Sequence, residues 1–196
     1  MKDKRTMILD AAIELFARDG FWKTSTASIA KQAGVATGTL FNYFPSKDAL
    51  INDLYTELKL DSLAAVSEGL SEIGNLKRFV AKDLRMFMAE AWRRHVGWAL
   101  ANTVRSQLLE QLRLSELISS ETKIEVAKEF VFFETLIINA IADGKLVDLP
   151  VALHFEIFKA QINGTVAYLT TTESQNSAQD GVIDGAFTVY WKGVSP

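Results

Sequence analysis

The stretch STASIAKQAGVATGTLFNYF, residues 25–44, decides how this chain reads. Ser25 can cap the orphan N–H groups of a short helix running to Ala33, with Ile29 and Ala33 on one face and Gly34 as its stop. Val35-Ala36 leaves only a tight connection before a second short helix, Thr37 to Phe44. Pro45 ends that helix, because it disfavours the helical region for the residue before it. Two short helices joined by a glycine-containing turn have the shape of a helix-turn-helix. In that motif the second helix enters the major groove while the first crosses the backbone. Within TGTLFNYF, apolar Leu40, Phe41 and Phe44 can pack inward, which leaves Thr37, Thr39, Asn42 and Tyr43 to project. Those side chains can contact base edges or phosphates, and Gly38 lets the backbone come close to a duplex. Ser46 then caps a further helix whose first residues include Lys47, where an ammonium and a helix N-terminus both suit a phosphate. The competing reading of the whole segment is a helical hairpin that merely packs.

Outward from this stretch the periodicity is helical. Upstream, Ile8, Ala12, Leu15 and Phe16 share a face, and Gly20 supplies a stop. Downstream, Leu76, Val80, Leu84, Phe87 and Ala91 mark an amphipathic helix, followed by a less regular stretch from Val96 to Leu117. A helix opening near Ser119/Ser120 carries Val126, Phe130, Phe133, Ile137 and Ile141 on one stripe and stops at Asp143-Gly144. Another follows Pro150 to about Thr172, and Ser177 to Asp180 matches a capping box for the last. No useful strand-like alternation occurs. The expectation is an all-α fold, with an N-terminal three-helix helix-turn-helix domain over 1–50 and a C-terminal helical ligand-binding and dimerisation domain over 51–196.

Composition bounds the rest. The 196 residues are 48% hydrophobic and 23% charged, ordinary for a globular chain, so wholesale disorder is excluded. No cysteine is present, which removes disulfide frameworks and thiolate metal sites. Charges interrupt every apolar run before membrane-spanning length, and MKDKRTM lacks the apolar core of a signal peptide, so a soluble cytoplasmic protein is expected. The net charge of −3 at first argues against nucleic acid. It is unevenly spread. Residues 1–50 hold seven Lys/Arg against five Asp/Glu, and the remainder holds 14 against 19. Lys2, Lys4 and Arg5 are either phosphate grips or a solvated terminus.

The spaced set Thr24-Ser25, Ile29-Ala30, Ala33-Gly34-Val35, Gly38 to Phe44 and Ser46 to Leu50 closely resembles the DNA-binding domain of the TetR (tetracycline-repressor) family. With helix one the likeness covers about residues 5–50. The resemblance implies that Thr24, Ser25, Tyr43 and Lys47 meet phosphates, and that Thr37, Thr39 and Asn42 face the groove. The chain departs from the family pattern at Ala36, where a capping Ser is common, so Thr37 is expected to cap. Thr37 stands for a frequent Lys, and Phe41 for a frequent Tyr.

The resemblance further implies an effector pocket among the middle helices and a homodimer built from the last two. The residues support the dimer independently. Phe155, Phe158, Ile162, Val166 and Leu169 form one stripe edged by small Ala160, Gly164 and Ala167. Val182, Ile183, Ala186, Phe187 and Tyr190 form another beside Gly181 and Gly185. Such wide apolar coverage suits either an interface or two core helices of a monomer. For the pocket, Met86, Phe87, Trp92, Trp98, Phe130, Phe133 and Ile137 could line an apolar cavity, and His95, Arg105, Gln107, Glu134 and Asn139 are candidate polar contacts. An aromatic stripe at helical spacing also serves as plain core.

No enzyme is expected. His95 and His154 are the only histidines and neither has a partner at metal-ligand spacing, and no phosphate loop or nucleophile elbow occurs, so neither metal nor cofactor is anticipated. The reading is a homodimeric regulator that binds a palindromic DNA operator, most simply as a repressor, and is released by a small, partly apolar or aromatic molecule, with no membrane partner. The alternative from another class is a helical small-ligand-binding protein without DNA-binding activity.

Overall fold

A computed structural model describes residues 3–71, 84–172 and 176–196, with side chains over 3–68, 84–172 and 179–196. Among these residues there are ten α-helices and no strand. They are α1 Lys4–Asp19, α2 Thr26–Gln32, α3 Thr37–Tyr43, α4 Lys47–Ser71, α5 Leu84–Ala101, α6 Thr103–Leu114, α7 Ser120–Lys128, α8 Val131–Ala142, α9 Val151–Thr171 and α10 Asn176–Val194. The expected positions Leu76 and Val80, and the Ser177 side chain of the expected capping box, lie outside the described residues.

Two boundaries fall where a single periodic stripe conceals a break. The stripe from Val126 to Ile141 is not one helix. Phe130, at φ −101° and ψ 2°, interrupts it between α7 and α8, and its N–H bonds back to Ala127 at 3.0 Å. The irregular stretch after Val96 is itself helical on both sides of Asn102, whose φ of −129° and ψ of 47° separate α5 from α6.

By its contacts the chain forms two compact units. The first joins residues 1–60 with 102–126, and the second joins 61–101 with 127–196. These folding units divide the chain differently from a cut after residue 50. Residues 47–60 of α4, all of α6 and α7 as far as Val126 belong to the N-terminal unit rather than to the following one.

In the first unit α1 buries Ile8, Ala12, Leu15 and Phe16, the face expected from its periodicity, and Leu9, Ala11 and Ile13 as well. Leu50, Ile51, Leu54 and Leu58 of α4, and Leu108, Leu109 and Leu112 of α6, are buried in the same unit. Each large apolar side chain so buried contributes roughly 1.5–3 kcal/mol. Half-buried ion pairs fasten the pieces. Arg105 reaches Asp10 at 2.8 Å, and Arg5 reaches Glu57 at 2.9 Å and Asp53 at 3.3 Å while lying over the Phe44 ring. Asn52 bonds Leu117 and Ser119, which pins the chain between α6 and α7 to α4.

In the second unit the core centres on Trp92. Its ring meets Phe158, Phe187 and Tyr190 at centroid distances of 5.4, 5.9 and 5.8 Å, and its N–H donates to the carbonyl of Ile183 at 3.2 Å. Arg93 clasps Asp184 through two hydrogen bonds, joining α5 to α10 on the surface. The turn after α8 is closed by Gly144 at φ 66°, with Lys145 N–H bonding the carbonyl of Ala140 at 2.9 Å.

Candidate nucleic-acid interface

Local chemistry builds the motif around Ser25. Its hydroxyl accepts from Ser28 N–H at 3.0 Å, and its own N–H donates to the Ser28 hydroxyl at 3.1 Å, so both ends of a reciprocal cap are made. At the other end of α2, Gly34 adopts φ 69°, and Val35 N–H bonds Ala30 while Gly34 N–H bonds Lys31. That left-handed turn reverses the chain and launches α3.

Recognition-type helix α3 is anchored by one fully buried side chain, Leu40, with buried Phe44 just past its end. Thr37, Gly38, Phe41, Asn42 and Tyr43 are exposed and Thr39 is half-exposed. A Cβ on Gly38 would meet nothing within 4 Å, so this chain's own packing gives no reason for a glycine there. Two expectations are corrected. Phe41 does not pack inward: it is 44% exposed, because its position on a seven-residue helix points away from the face that Leu40 buries. Thr37 does not cap: Ala36 holds the N-cap position, and no side chain bonds the first turn of α3.

The residues flanking α3 are less free than the sequence implies. Thr24 is 3% exposed, and its hydroxyl donates to the carbonyls of Gly20 at 2.9 Å and Leu15 at 3.3 Å. Its side chain therefore closes the end of α1 and is not available to a phosphate, which corrects that assignment. Lys47 is half-buried and its ammonium donates to the carbonyl of Phe21. Ser46 accepts from Ala49 N–H at 3.0 Å, as a cap should. Arg5 is committed to its two carboxylates: burial works against its charge, but the hydrogen bonds it donates to Glu57 and Asp53 more than offset that and raise its pKa. One residue absent from the sequence reading stands out. Trp22, in the turn between α1 and α2, is 84% exposed. Its signal lay in its position between Phe21, which packs on Phe16 at 5.0 Å, and inward-facing Thr24.

The expected effector residues do not form one lining. Phe87 stands 6.2 Å from both Phe132 and Phe133, and Ile137 belongs to the same core. Trp92 is sealed in its aromatic cluster, and Trp98 is buried with its N–H on Asp61 at 3.3 Å and its ring against His95. Glu134 is exposed and Phe130 sits at the break before α8. Arg105 belongs to the first unit, bonded to Asp10, and is corrected from pocket contact to brace. Among the described residues, two buried side-chain polar atoms have no hydrogen-bond partner: the Tyr190 hydroxyl, whose pKa burial pushes up, and Nδ1 of His154, whose Nε2 faces the carbonyl of Val147 at 3.0 Å.

The expected dimer residues separate into two groups. Ile162, Phe187 and Tyr190 are buried within their own chain, which corrects their place in an interface. Phe155, Phe158, Val166, Val182 and Ala186 are half-buried against that same core, and Gly164 is exposed. The outward face instead presents Leu153, Tyr168 and Val189 beside Ala160, Ala167, Gly181 and Gly185. No helix among the described residues is long and apolar enough to cross a membrane.

Residues 8–54 match the family of bacterial regulatory proteins known as the tetR family. Along nearly its whole length the chain is similar to the fatty acid metabolism regulator protein of Bacillus subtilis (strain 168), 26% identical over 182 residues that span 90% of this chain and 88% of that one. A crystal structure of a tetR-family transcription regulator from Shewanella sp. PV-4 superposes with a TM-score of 0.85 at 29% identity, all of both chains being covered. The fatty acid degradation regulator FadR of Bacillus halodurans shares the fold, with a TM-score of 0.71 at 20% identity over 97% of this chain and 96% of that one. Over residues 8–54 the chain is thus similar to the tetR family of DNA-binding transcription regulators, and over its whole length it shares the fold of such regulators.

Proposed function

We propose that this chain is a cytoplasmic repressor that binds a palindromic operator as a homodimer and releases it when a small molecule binds. The observation that carries the reading is α3, a seven-residue helix whose residues Thr37, Gly38, Asn42 and Tyr43 are exposed and lie in the segment that matches a family of DNA-binding regulators. In this reading residues 1–50 carry the DNA contacts and residues 51–196 carry the effector and dimer functions. Thr37, Thr39 and Asn42 face base edges, while Ser25, Tyr43 and Lys47 meet phosphates. An ammonium has three donors, and Lys47 spends one on Phe21, so others remain for a phosphate oxygen. Two α3 helices must enter major grooves on one side of the duplex, about 34–36 Å apart or a multiple of that.

Pairing of two copies through α9 and α10 would cover the outward strip of Leu153, Gly164, Tyr168 and Val189. Apolar side chains beside glycines let helices approach closely there. An effector shifts the population only by its differential affinity for the DNA-competent and incompetent states. The orphaned Tyr190 hydroxyl and His154 Nδ1 support a ligand-responsive second unit, since a partner for either recovers a desolvation cost of about 1–3 kcal/mol. Because relatives are named as regulators of fatty acid metabolism and degradation, acyl compounds are the first effector probes. Tyr190→Phe is expected to stabilise the ligand-free protein by about 1–3 kcal/mol in thermal unfolding. A loss of stability instead would mean that the hydroxyl is paired in solution.

Selection of bound duplexes from a random pool tests the DNA reading. Asn42→Ala should relax one half-site position by about 1–3 kcal/mol. Lys47→Ala should weaken all duplexes alike and flatten the salt slope by about one. Salt-independent behaviour, or no enrichment of any sequence by the wild type, would refute the reading.

A further inference from the structure

The turn from Gly20 to Thr24 is held at nearly every residue except the one that protrudes. Gly20 N–H closes α1 on the carbonyl of Phe16 at 2.9 Å, and its φ of 81° with ψ of 162° is a conformation that essentially only glycine adopts. Phe21 lays its ring 5.0 Å from that of Phe16 and gives its carbonyl to the Lys47 ammonium. Thr24 turns its hydroxyl inward onto Gly20 and Leu15. With both sides of the turn anchored, the largest side chain of the sequence's alphabet is left pointing out: Trp22 is 84% exposed, beside exposed Lys23. Leaving an indole in water forgoes roughly 1.5–3 kcal/mol of burial, so this chain's own folding does not account for it.

Its neighbours identify what covers it. The bond between Phe21 and Lys47 ties this turn to the residue that opens α4, three positions beyond the C-cap of α3, so Trp22 flanks the end of the groove-facing helix. On the other side it runs directly into exposed Ser25. The nearby carboxylate is neutralised, since Arg18 grips Asp19 through two hydrogen bonds at 2.9 and 2.8 Å. The surface offered there is thus an indole and an ammonium, beside a carboxylate already paired with Arg18.

We propose that Trp22 is a DNA-backbone contact at the rim of the operator, its indole N–H donating to a phosphate oxygen while its ring lies on the adjoining deoxyribose. An indole nitrogen is a donor only, which matches the anionic phosphate oxygens, the strongest acceptors of the DNA backbone. The contact is independent of base sequence, because it touches neither base edge nor groove floor. It deepens the DNA-binding reading and rests on it. The anchored backbone on either side gives it its value, since only the side chain's own freedom is left to lose on binding.

The test measures the affinity of full-length wild-type protein, Trp22→Ala, Trp22→Phe and Lys23→Ala for the selected operator and for random duplex over a range of salt. A hydrogen bond to a charged group predicts that Trp22→Ala weakens both duplexes by about tenfold or more. The slope of affinity against salt should not change, because no cation is removed, whereas Lys23→Ala should lower that slope by about one. Trp22→Phe, which keeps a ring and loses the donor, should fall between. Melting temperatures of all variants should match the wild type, as an 84% exposed side chain supports no core. Wild-type affinity for Trp22→Ala at every salt concentration would overturn the inference. So would a loss confined to one base position, which makes Trp22 a base reader, or a loss confined to cooperativity between protein copies, which makes it a protein contact. A wild type that binds no duplex at all fails differently, by removing the DNA reading itself.

Discussion

Trp92→Ala is expected to destabilise the second unit by about 3–5 kcal/mol, as large-to-small changes at fully buried aromatics do. Trp92 is wholly buried, stacks on Tyr190, meets Phe158 and Phe187 edge-on, and satisfies the carbonyl of Ile183. Truncation removes apolar contact, opens a cavity among three rings and loses the buried indole hydrogen bond to that carbonyl. None of the three costs is easily relieved, because α5, α9 and α10 all converge on this side chain and cannot collapse together. Thermal unfolding followed by near-ultraviolet circular dichroism should show a drop on the order of 10 °C or more. Trp92→Phe, which keeps most of the ring contacts, should recover a large part of it. A change below about 1 kcal/mol for the alanine variant would mean that the aromatic cluster is not the organising centre of this unit.

Leu40→Ala is the matching expectation for the DNA-facing side, with a cost of about 2–5 kcal/mol. A seven-residue helix is far too short to persist by its own hydrogen bonds, and no side chain caps its first turn. Its position depends on one wholly buried residue, Leu40, together with Phe44 just beyond its end. Removing three carbons there should loosen α3 before the rest of the unit. Amide exchange should accelerate across 37–43, and operator affinity should fall by more than tenfold even where the exposed residues are untouched. Unchanged exchange in that segment would show that the flanking turns, and not Leu40, hold the helix. The comparison with Asn42→Ala separates positioning from contact: one should weaken every duplex, the other should alter preference at one base pair.

Much of the DNA-facing side was legible because its signals are local. Ser25, Gly34, Ala36 and Pro45 punctuate the chain at intervals of a few residues, and each acts through its own backbone or its immediate neighbours. Where the reading went astray, a longer-range partner intervened. Phe41 reads as apolar and therefore inward, yet on α3 the buried face is narrow and already filled by Leu40. Thr24 reads as a surface hydroxyl, but the carbonyls left unpaired at the end of α1 claim it. Arg105 reads as a polar pocket contact, and Asp10, ninety-five positions earlier, takes it instead. The effector and dimer residues were harder still. A stripe such as Phe155, Phe158, Ile162 looks the same whether it faces its own core or a second copy, so burial of Ile162, Phe187 and Tyr190 could not be told from the pattern.

By itself, then, the sequence determined the helical class, the helix-turn-helix and its likeness to the TetR family, because capping, glycine stops and the 3.6-residue period are properties of neighbouring residues. The tertiary structure decided which of two faces each amphipathic helix buries, which charges are spent on braces, and that α6 and α7 as far as Val126 belong to the N-terminal unit. It also decided that Trp22 stands outside. These outcomes depend on residues far apart in the chain competing for the same space and the same hydrogen bonds, and that competition is settled only when the chain has folded.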